Sequence, residues 1–197
     1  MATIPAAPAR RPITVDAFHR MGEAGILGEQ DRVELIDGEI IDMSPIGALH
    51  AAIVDAIVRH FGRQAGDAVV VRCQNPLRLD DLNEPEPDVA LLRPRDDMYT
   101  TAHPGAADAL LVVEVADTSL AYDIGVKVPL YARQGIPEVW VIDVATRRTK
   151  VFRRPVGGRY ADESQVEPDG ALSCDAVTTA AGGPLEFALT RLLPPLV

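Results

Sequence analysis

The sequence predicts a mixed α/β domain, because it combines a strand–helix–strand unit with a separate β-hairpin. Two apolar runs at 110–115 and 138–143 flank a stretch at 123–134 that has helical character. Two consecutive strands joined through a helix form a parallel pair, since the chain must cross back before the second strand begins. Asp37-Gly38 lies between two β-rich runs and is a strong signal for an antiparallel hairpin. Parallel and antiparallel pairs together indicate a mixed sheet.

Two further helices are predicted in the N-terminal part of the chain. Thr14 is a helix-capping residue type, and Gly25 is placed to end the first helix. The second helix covers 48–66 and is amphipathic, because apolar residues recur at helical spacing. Its apolar face carries Ile53, Ile57, Val58 and Phe61. Gly135 is placed to end the helix at 123–134.

The strands of the second half are predicted from short apolar runs. A β-rich run from residue 68 reaches Pro76, and a short apolar run starts near Asp88. The polar stretch 93–109 contains Pro and Gly, which predicts a long surface loop. Beyond residue 155 the pattern predicts only short strand-like pieces.

A second hairpin is predicted from the strand at 138–143 and the basic run "RRTKVFRR" that follows it. Trp140 lies in an apolar strand, which predicts a role in core packing. The basic run is typical of a solvated hairpin with alternating charges, although contact with a nucleic-acid backbone is the alternative.

Length and composition favour one domain in the cytoplasm. In the 197-residue chain we expect a flexible N-terminal arm at 1–13 and a single domain at 14–197. Cys73 and Cys174 form no CxxC motif, so we expect two unpaired thiols in a reducing compartment. No apolar run has the length of a signal sequence or of a membrane-spanning helix, so no membrane association is expected.

The acidic composition limits the classes of partner. The chain has 29 acidic and 19 basic residues, which gives a formal net charge of −10 at pH 7. This charge disfavours non-specific binding of nucleic acid over the whole surface. It leaves room for a local basic groove, or for a cluster of carboxylates that holds a metal ion.

Two acidic residues stand at the ends of apolar strands. Glu114 lies in the run 110–115, where a buried carboxylate must be paired, protonated or bound to metal. Asp88 opens the apolar run that follows Pro87. If the two strands are neighbours, the carboxylates meet, and such a pair is suited to Mg²⁺ or Mn²⁺. The alternatives are a solvated strand end for Glu114 and an ordinary turn residue for Asp88.

The helix at 123–134 carries three polar residues on one face. Asp123, Lys127 and Tyr131 are spaced i, i+4 and i+8. If this face packs over the end of the Glu114 strand, the lysine can position or deprotonate a metal-bound water and neutralise charge on a phosphate. The alternatives are a surface pair of Asp123 with Lys127, or a lysine stem that covers apolar surface.

The stretches "EPDVALL" and "LLVVEVADTSLAYDIGVKVPLYARQGIPEVWVID", in this order, resemble the Uma2 family of restriction-endonuclease-like proteins. That family, formerly a domain of unknown function, belongs to the PD-(D/E)XK nuclease superfamily. "VELIDGEIIDMSP" and the following His50 resemble its N-terminal half, so the resemblance covers about residues 14–160. It implies a restriction-endonuclease-like core sheet flanked by helices, with an N-terminal helix and β-hairpin.

The resemblance also implies roles for individual residues. Asp88 matches the acid of the PD element, and Glu114 matches the acid of the ExK element. Ala116 stands where the superfamily lysine is expected, and Lys127 from the next helix is its replacement. Glu34 matches an acidic position of the family and would add a metal ligand. The equally weighted alternative is that Glu34 is a strand residue that faces solvent. Candidate members of the same pocket are His50, Gln74, Asp123 and Tyr131. The alternative for His50 is an ordinary polar residue near the start of a helix, and the alternative for Gln74 is an ordinary polar residue at the end of a strand.

We therefore expect a metal-dependent endonuclease that hydrolyses phosphodiester bonds of DNA. Asp88 and Glu114 would hold Mg²⁺ or Mn²⁺, and Lys127 would assist attack on phosphorus. The alternative is a catalytically degenerate nuclease fold that binds nucleic acid or protein without turnover, which the net charge and Ala116 favour. No GxGxxG or P-loop motif supports a cofactor-dependent enzyme of another class. By analogy with nucleases that cut both strands of a duplex, a homodimer is expected.

Overall fold

A mixed β-sheet forms the centre of the molecule. The computed structural model describes residues 10–28, 30–179 and 182–193. The strands of the described residues are β1 (Val33–Ile36), β2 (Glu39–Asp42), β3 (Val70–Cys73), β4 (Val89–Leu92), β5 (Ala109–Ala116), β6 (Glu138–Asp143), β7 (Arg148–Val156), β8 (Arg159–Val166), β9 (Ala171–Thr178) and β10 (Pro184–Ala188). The helices are α1 (Val15–Glu23), α2 (Ala48–Ala65), α3 (Leu120–Tyr122), α4 (Val128–Arg133) and α5 (Leu189–Leu192), and a π-helical turn (Asp123–Lys127) joins α3 to α4.

The central sheet has six strands in the order β3-β4-β5-β6-β7-β8. Strands β5 and β6 run parallel, and the other neighbouring pairs run antiparallel. The strands β1–β2 and β9–β10 form two separate antiparallel pairs. The sequence prediction of a mixed sheet that contains the strands near 88–92, 110–115 and 138–143 is therefore confirmed.

The two faces of the central sheet are covered by different elements. On one face, Ile53, Ile57 and Phe61 of α2 pack in a cluster with Trp140, whose side chain is fully buried. On the other face, α4 packs through apolar residues that include Val128. Because both faces are covered, every residue of β5 is buried, which explains its continuous apolar sequence.

The helix boundaries predicted at Thr14 and Gly135 are confirmed. The side chain of Thr14 accepts a hydrogen bond from the Ala17 backbone N–H at 3.2 Å, so it is the N-cap of α1. Gly135 follows the end of α4 with a φ of 75°, a conformation that suits glycine. Cys73 and Cys174 are unpaired. No helix among the described residues is both long and apolar enough to cross a bilayer.

Other predicted boundaries were wrong. The strand predicted to reach Pro76 ends at Cys73, because Gln74 adopts a φ of 50° that breaks the extended backbone. The helix predicted at 123–134 begins three residues earlier, at Leu120, and contains the π-helical turn. The C-terminal part, where the sequence pattern was weak, forms β8, β9, β10 and α5.

The N-terminal arm is described only in part. Its first nine residues lie outside the described residues. The backbone N–H of Ile13 donates to the Gly38 carbonyl at 2.9 Å, so the end of the arm runs beside the β1–β2 hairpin. The division into an arm at 1–13 and a single domain at 14–197 stays a prediction.

The β1–β2 hairpin gives a first testable prediction. Gly38 has a φ of 74°, and a Cβ added there would lie 2.4 Å from the Pro12 Cβ. We expect Gly38→Ala to lower the free energy of unfolding by about 2 kcal/mol or more, because left-handed strain adds to a steric clash. Chemical denaturation measures this. Gly25→Ala is the control: its φ is 69° with no atom within 4 Å, so only the strain of about 1 kcal/mol applies. Equal costs would show that the contact with Pro12 is unimportant.

Candidate functional site

A cavity of about 420 Å³ lies at one end of the central sheet, where β4 begins and β5 ends. Its walls come from β1, from the segment between β2 and α2, from the start of α2 and from the α3–π-turn region. Asp88, Glu114 and Lys127 all line it. The chain therefore brings together, from three separate segments, the three residues that the sequence singled out.

Asp88 is oriented by three hydrogen-bond donors. Its Oδ1 lies 2.9 Å from His50 Nε2 and accepts a bond from Gln74 Nε2 at 3.2 Å, while its Oδ2 accepts from the Val115 backbone N–H at 2.8 Å. Burial alone would raise the pKa of Asp88, but the bonds from these donors outweigh burial and lower it. The carboxylate is thus held ionised and in one orientation. The structure places His50 and Gln74 beside Asp88, which lies in a bend after Pro87 and is largely buried.

Asp88 and Glu114 belong to neighbouring strands and to the same face of the sheet. Val89 of β4 pairs with Val113 of β5 in an antiparallel register, so Asp88, just before Val89, lies beside Glu114, just after Val113. Side chains alternate along a strand, so Glu114 shares its face with Ala116. The register thus places these two acidic residues side by side at the ends of neighbouring strands.

Glu114 is buried, with only 3% of its surface exposed. Its Oε1 accepts a hydrogen bond from the Tyr131 hydroxyl at 2.6 Å and lies 3.3 Å from Lys127 Nζ. Burial raises the pKa of Glu114 to about 8, although the charge of Lys127 acts in the opposite direction. The interpretation of Glu114 as a solvated strand end was wrong.

Lys127 lies between two buried acids. Its Nζ is 3.0 Å from Glu34 Oε2 and 3.3 Å from Glu114 Oε1, and the side chain is almost entirely buried. Burial alone would lower the pKa of Lys127, but Glu114 and Glu34 outweigh it and raise the pKa above its ordinary value. Both alternatives for this lysine, a surface pair with Asp123 and a stem on apolar surface, were wrong.

Glu34 is a member of the site and not a solvent-facing strand residue. It is 3% exposed, and its Oε2 also accepts a hydrogen bond from the Glu86 backbone N–H at 3.2 Å. The hairpin β1–β2 thus places Glu34 beside Lys127 as a second acidic partner, in addition to Glu114. The ammonium group therefore balances two carboxylates that burial would otherwise penalise.

The packing of α4 brings Lys127 to the face of β5 that carries Glu114 and Ala116. Ala116 is fully buried on the same face of β5 as Glu114, in the cluster that includes Val128 of α4. Lys127 immediately precedes Val128, so the packing of α4 on this face carries the lysine to Glu114. The intervening π-helical turn is a type of distortion that is common at functional sites.

Of the two further residues on this helix face, Asp123 lines the cavity, whereas Tyr131 does not line it. Asp123 lines the cavity, is buried, and accepts a hydrogen bond from the Ser119 hydroxyl at 2.6 Å. Burial raises the pKa of Asp123. Tyr131 lies deeper, behind Glu114, and burial raises the pKa of its hydroxyl as well, so this hydroxyl remains a hydrogen-bond donor.

The sequence missed several residues that line the cavity. Tyr122 has a buried hydroxyl without a hydrogen-bond partner in residues 10–28, 30–179 and 182–193, and burial raises its pKa to about 12. Arg32 places a cation at the mouth, where its guanidinium donates to the Ser44 carbonyl at 3.0 Å. Glu86 and Asp117 add two more acids. No motif in the sequence marks these positions; only the position of Tyr122 next to Asp123 could have indicated it.

The donors of the cavity fit a hard divalent cation held partly by water. Among residues 10–28, 30–179 and 182–193, no three His, Cys, Asp or Glu side chains form a ready-made metal cage. Mg²⁺ commonly binds through one or two carboxylates and completes its shell with waters and substrate phosphates. Asp88, ionised and oriented, and Glu114, on the adjacent strand, provide such a pair of oxygen donors. The cavity leaves room beside them for the remaining ligands.

The basic run after β6 forms part of the β7–β8 hairpin. Arg148 pairs with Glu167, Lys150 with Glu163, and Arg154 with Asp162. These basic side chains face acidic partners on or next to the adjacent strand. The arrangement agrees with a solvated hairpin of alternating charges.

Comparison with known proteins places the chain among nuclease-like proteins. The family described as "Uma2: Putative restriction endonuclease" matches residues 15–185. The fold is similar to the crystal structure of a putative nuclease belonging to DUF820 from Anabaena variabilis, with a TM-score of 0.69. That likeness covers 92% of this chain and 98% of the other at 16% sequence identity, which shows a shared fold. No curated protein matches the sequence at a significant level.

Proposed function

The chain belongs to the Uma2 family, and from this premise we propose that it is a metal-dependent nuclease that hydrolyses phosphodiester bonds of DNA. One observation carries the proposal: Asp88, Glu114 and Lys127 line one cavity, with the lysine ammonium 3.3 Å from the glutamate. Two carboxylates and a fixed cation in a water-restricted site are a combination suited to phosphoryl chemistry. The family description and the shared nuclease-like fold support the same class of reaction.

In this proposal, each residue has a distinct task. Asp88 and Glu114 hold Mg²⁺ or Mn²⁺, with Glu34 as an outer acid; the bound ion supplies an activated water and neutralises phosphate charge. His50, Gln74 and the Val115 N–H keep Asp88 ionised and oriented. Burial favours the protonated form of Glu114, and a cation beside it favours the ionised form.

Lys127 acts as a charge in this proposal and not as a base. Its two acidic neighbours raise its pKa, so the ammonium form persists at neutral pH. A protonated amine at this position donates hydrogen bonds and stabilises negative charge that develops on the phosphate. The position of the ammonium is fixed from both sides by Glu34 and Glu114.

The second candidate function is a nuclease fold that binds nucleic acid or protein without turnover. Two observations favour it: the net charge of −10, and Ala116 at the position of the superfamily lysine. The two candidates differ in one property, which is metal-dependent cleavage. A single assay therefore separates them.

The test is incubation of supercoiled plasmid with the purified protein and Mg²⁺ or Mn²⁺. We expect nicking that stops when a chelator removes the metal. Glu114→Gln is expected to reduce the rate at least about 100-fold, because it removes a charged metal ligand while keeping the shape of the side chain. Cleavage that is equal in the variant, or that survives chelation, would place the activity outside this cavity. A wild-type protein that cuts neither the plasmid nor a single-stranded oligonucleotide would favour the binding module.

The proposed enzyme acts as a homodimer in the cytoplasm. The unpaired state of Cys73 and Cys174 supports a reducing compartment. Closed two-fold symmetry is the commonest arrangement of soluble oligomers, which supports a dimer. Light scattering at micromolar concentration is expected to give twice the chain mass of 21.2 kDa. A monomer mass would contradict the dimer without affecting the chemistry of the site.

A further inference from the structure

We infer that the substrate enters this site as a single unpaired nucleotide, so that single-stranded DNA, or a strand with unpaired ends, is preferred over intact duplex. The inference rests on the proposed nuclease function and names the substrate class of the same cavity. Four features of the cavity carry it: the depth of its reactive groups, the apolar surface at its mouth, an unpartnered hydroxyl in its wall, and its charge.

The reactive groups lie below the molecular surface. Asp88, Glu114 and Lys127 are 8%, 3% and 5% exposed, so a phosphodiester must enter the cavity to reach them. A volume of about 420 Å³ lies in the range of sites for small ligands, roughly 300–1,000 Å³. Nucleotides of an intact duplex are paired and stacked, and enzymes that must draw a nucleotide into a pocket act on single strands or first extrude it from the duplex.

The mouth of the cavity presents an apolar surface. Met43, Pro45 and Ile46 line it from the segment between β2 and α2, and Ile46 leaves 41% of its surface exposed. The segment is anchored, because the Met43 backbone N–H donates to the Arg32 carbonyl at 2.9 Å, and Arg32 donates to the Ser44 carbonyl. An unstacked base has flat apolar faces that pack against such side chains. A paired base keeps those faces in the duplex stack.

The wall of the cavity contains a possible hydrogen-bond donor, the Tyr122 hydroxyl. The buried Tyr122 hydroxyl has no hydrogen-bond partner among the described residues, which is rare for a buried polar group. Arg32 adds a charged donor at the mouth. A nucleotide inserted with its base at Ile46 and its phosphate at Asp88 and Glu114 brings acceptor oxygens to Arg32 and to the wall that contains the Tyr122 hydroxyl.

The charge of the cavity also disfavours duplex. Seven of the side chains that line it are acidic, against the permanent cations Arg32 and Lys127. Duplex DNA carries one negative charge for about every 1.7 Å of its axis, so its approach to an acidic surface is strongly opposed. A single strand brings fewer charges to the protein, and the metal neutralises the phosphate that enters.

Matched oligonucleotides test the substrate class directly. One labelled strand is offered alone, as a blunt duplex, and as a duplex with an unpaired tail, each with Mn²⁺. We expect the free strand and the tail to be cut, and the paired region to be cut at least about 30-fold more slowly, because extrusion of a stacked nucleotide costs free energy. Equal rates on the blunt duplex would overturn the inference while leaving the nuclease function in place.

A binding measurement keeps the two proposals separable. Fluorescence anisotropy with the Glu114→Gln protein and Mn²⁺ compares the same strand free and paired. Tighter binding of the free strand, by about tenfold or more, supports the inference even if no substrate is cleaved, in which case the nuclease function alone has failed. Equal binding, tighter duplex binding, or no binding of either would overturn the inference.

Two variants locate the contact. Ile46→Ser is expected to weaken single-strand binding several-fold, while Ile26→Ser, at an exposed residue outside the cavity lining, leaves it unchanged. Tyr122→Phe is expected to weaken binding and to keep the melting temperature, because the hydroxyl makes no hydrogen bond within the part of the chain that the structure describes. Unchanged binding in both Ile46→Ser and Tyr122→Phe would overturn the placement of the nucleotide.

Discussion

Replacement of Lys127 by methionine is expected to abolish metal-dependent cleavage and to destabilise the fold. The loss of activity should reach about 100-fold or more, as for the removal of other fixed groups that stabilise transition-state charge. The stability cost arises because Glu34 loses the cation that lies 3.0 Å from its carboxylate. Removal of one partner from a buried ion pair commonly costs about 3–5 kcal/mol.

A second substitution separates the two effects of Lys127→Met. Adding Glu34→Gln to this variant removes the buried negative charge that has lost its partner. The amide oxygen of the glutamine can still accept the hydrogen bond from the Glu86 N–H. We expect the double variant to recover most of the stability and none of the activity. Denaturation curves and the plasmid assay, measured on the same samples, give both quantities.

The control is the other lysine of the chain. Lys150 lies on β7, is partly exposed and pairs with Glu163 at 3.0 Å. Lys150→Met is expected to change stability by less than about 1 kcal/mol and to leave cleavage intact, because exposed ion pairs contribute little. Full activity in Lys127→Met would remove this lysine from the mechanism, whatever its effect on stability.

Asp88→Asn is expected to remove cleavage while the fold persists. The carbonyl oxygen of the asparagine can keep the hydrogen bond from the Val115 N–H. Its NH₂ group can donate to neutral His50 and, once the Gln74 carboxamide has flipped, to the Gln74 oxygen. The geometry is thus preserved while the negative charge is lost. A carboxamide is a much weaker ligand for Mg²⁺ than a carboxylate, so we expect a loss of at least about 100-fold in rate.

The matched control for Asp88→Asn is Asp162→Asn. Asp162 lies on β8 and pairs with Arg154 on the neighbouring strand, and neither residue lines the cavity. We expect wild-type cleavage and nearly wild-type stability from this variant, since the pair is solvent-exposed. A similar loss of activity in both variants would indicate a general effect of surface charge.

The sequence predicted the parts of the site that depend on local pattern. Glu114 could be recognised because it interrupts an apolar strand, and Lys127 because it shares a helix face with Asp123 and Tyr131. Asp37-Gly38 predicted the hairpin that carries Glu34. These signals are short-range, and each depends on a period or a turn residue that one segment displays alone.

Other parts depend on tertiary contacts that no single segment displays. The burial of Glu34 results from the packing of β1 against residues 84–86, as the Leu35–Glu84 bridge shows. The Asp88 carboxylate is held by residues from α2, from the end of β3 and from β5. The unpartnered Tyr122 hydroxyl follows from its burial beside the π-helical turn, which has no recognised sequence signal.

Calorimetric titration of Mn²⁺ into the purified protein tests most directly whether Asp88 and Glu114 form a metal site. We expect saturable binding to the wild-type protein and a loss of affinity of about tenfold or more in Asp88→Asn, with Asp162→Asn unchanged. Equal affinity of the wild type and Asp88→Asn would show that Mn²⁺ binds elsewhere. It would contradict the assignment of this cavity as the catalytic metal site.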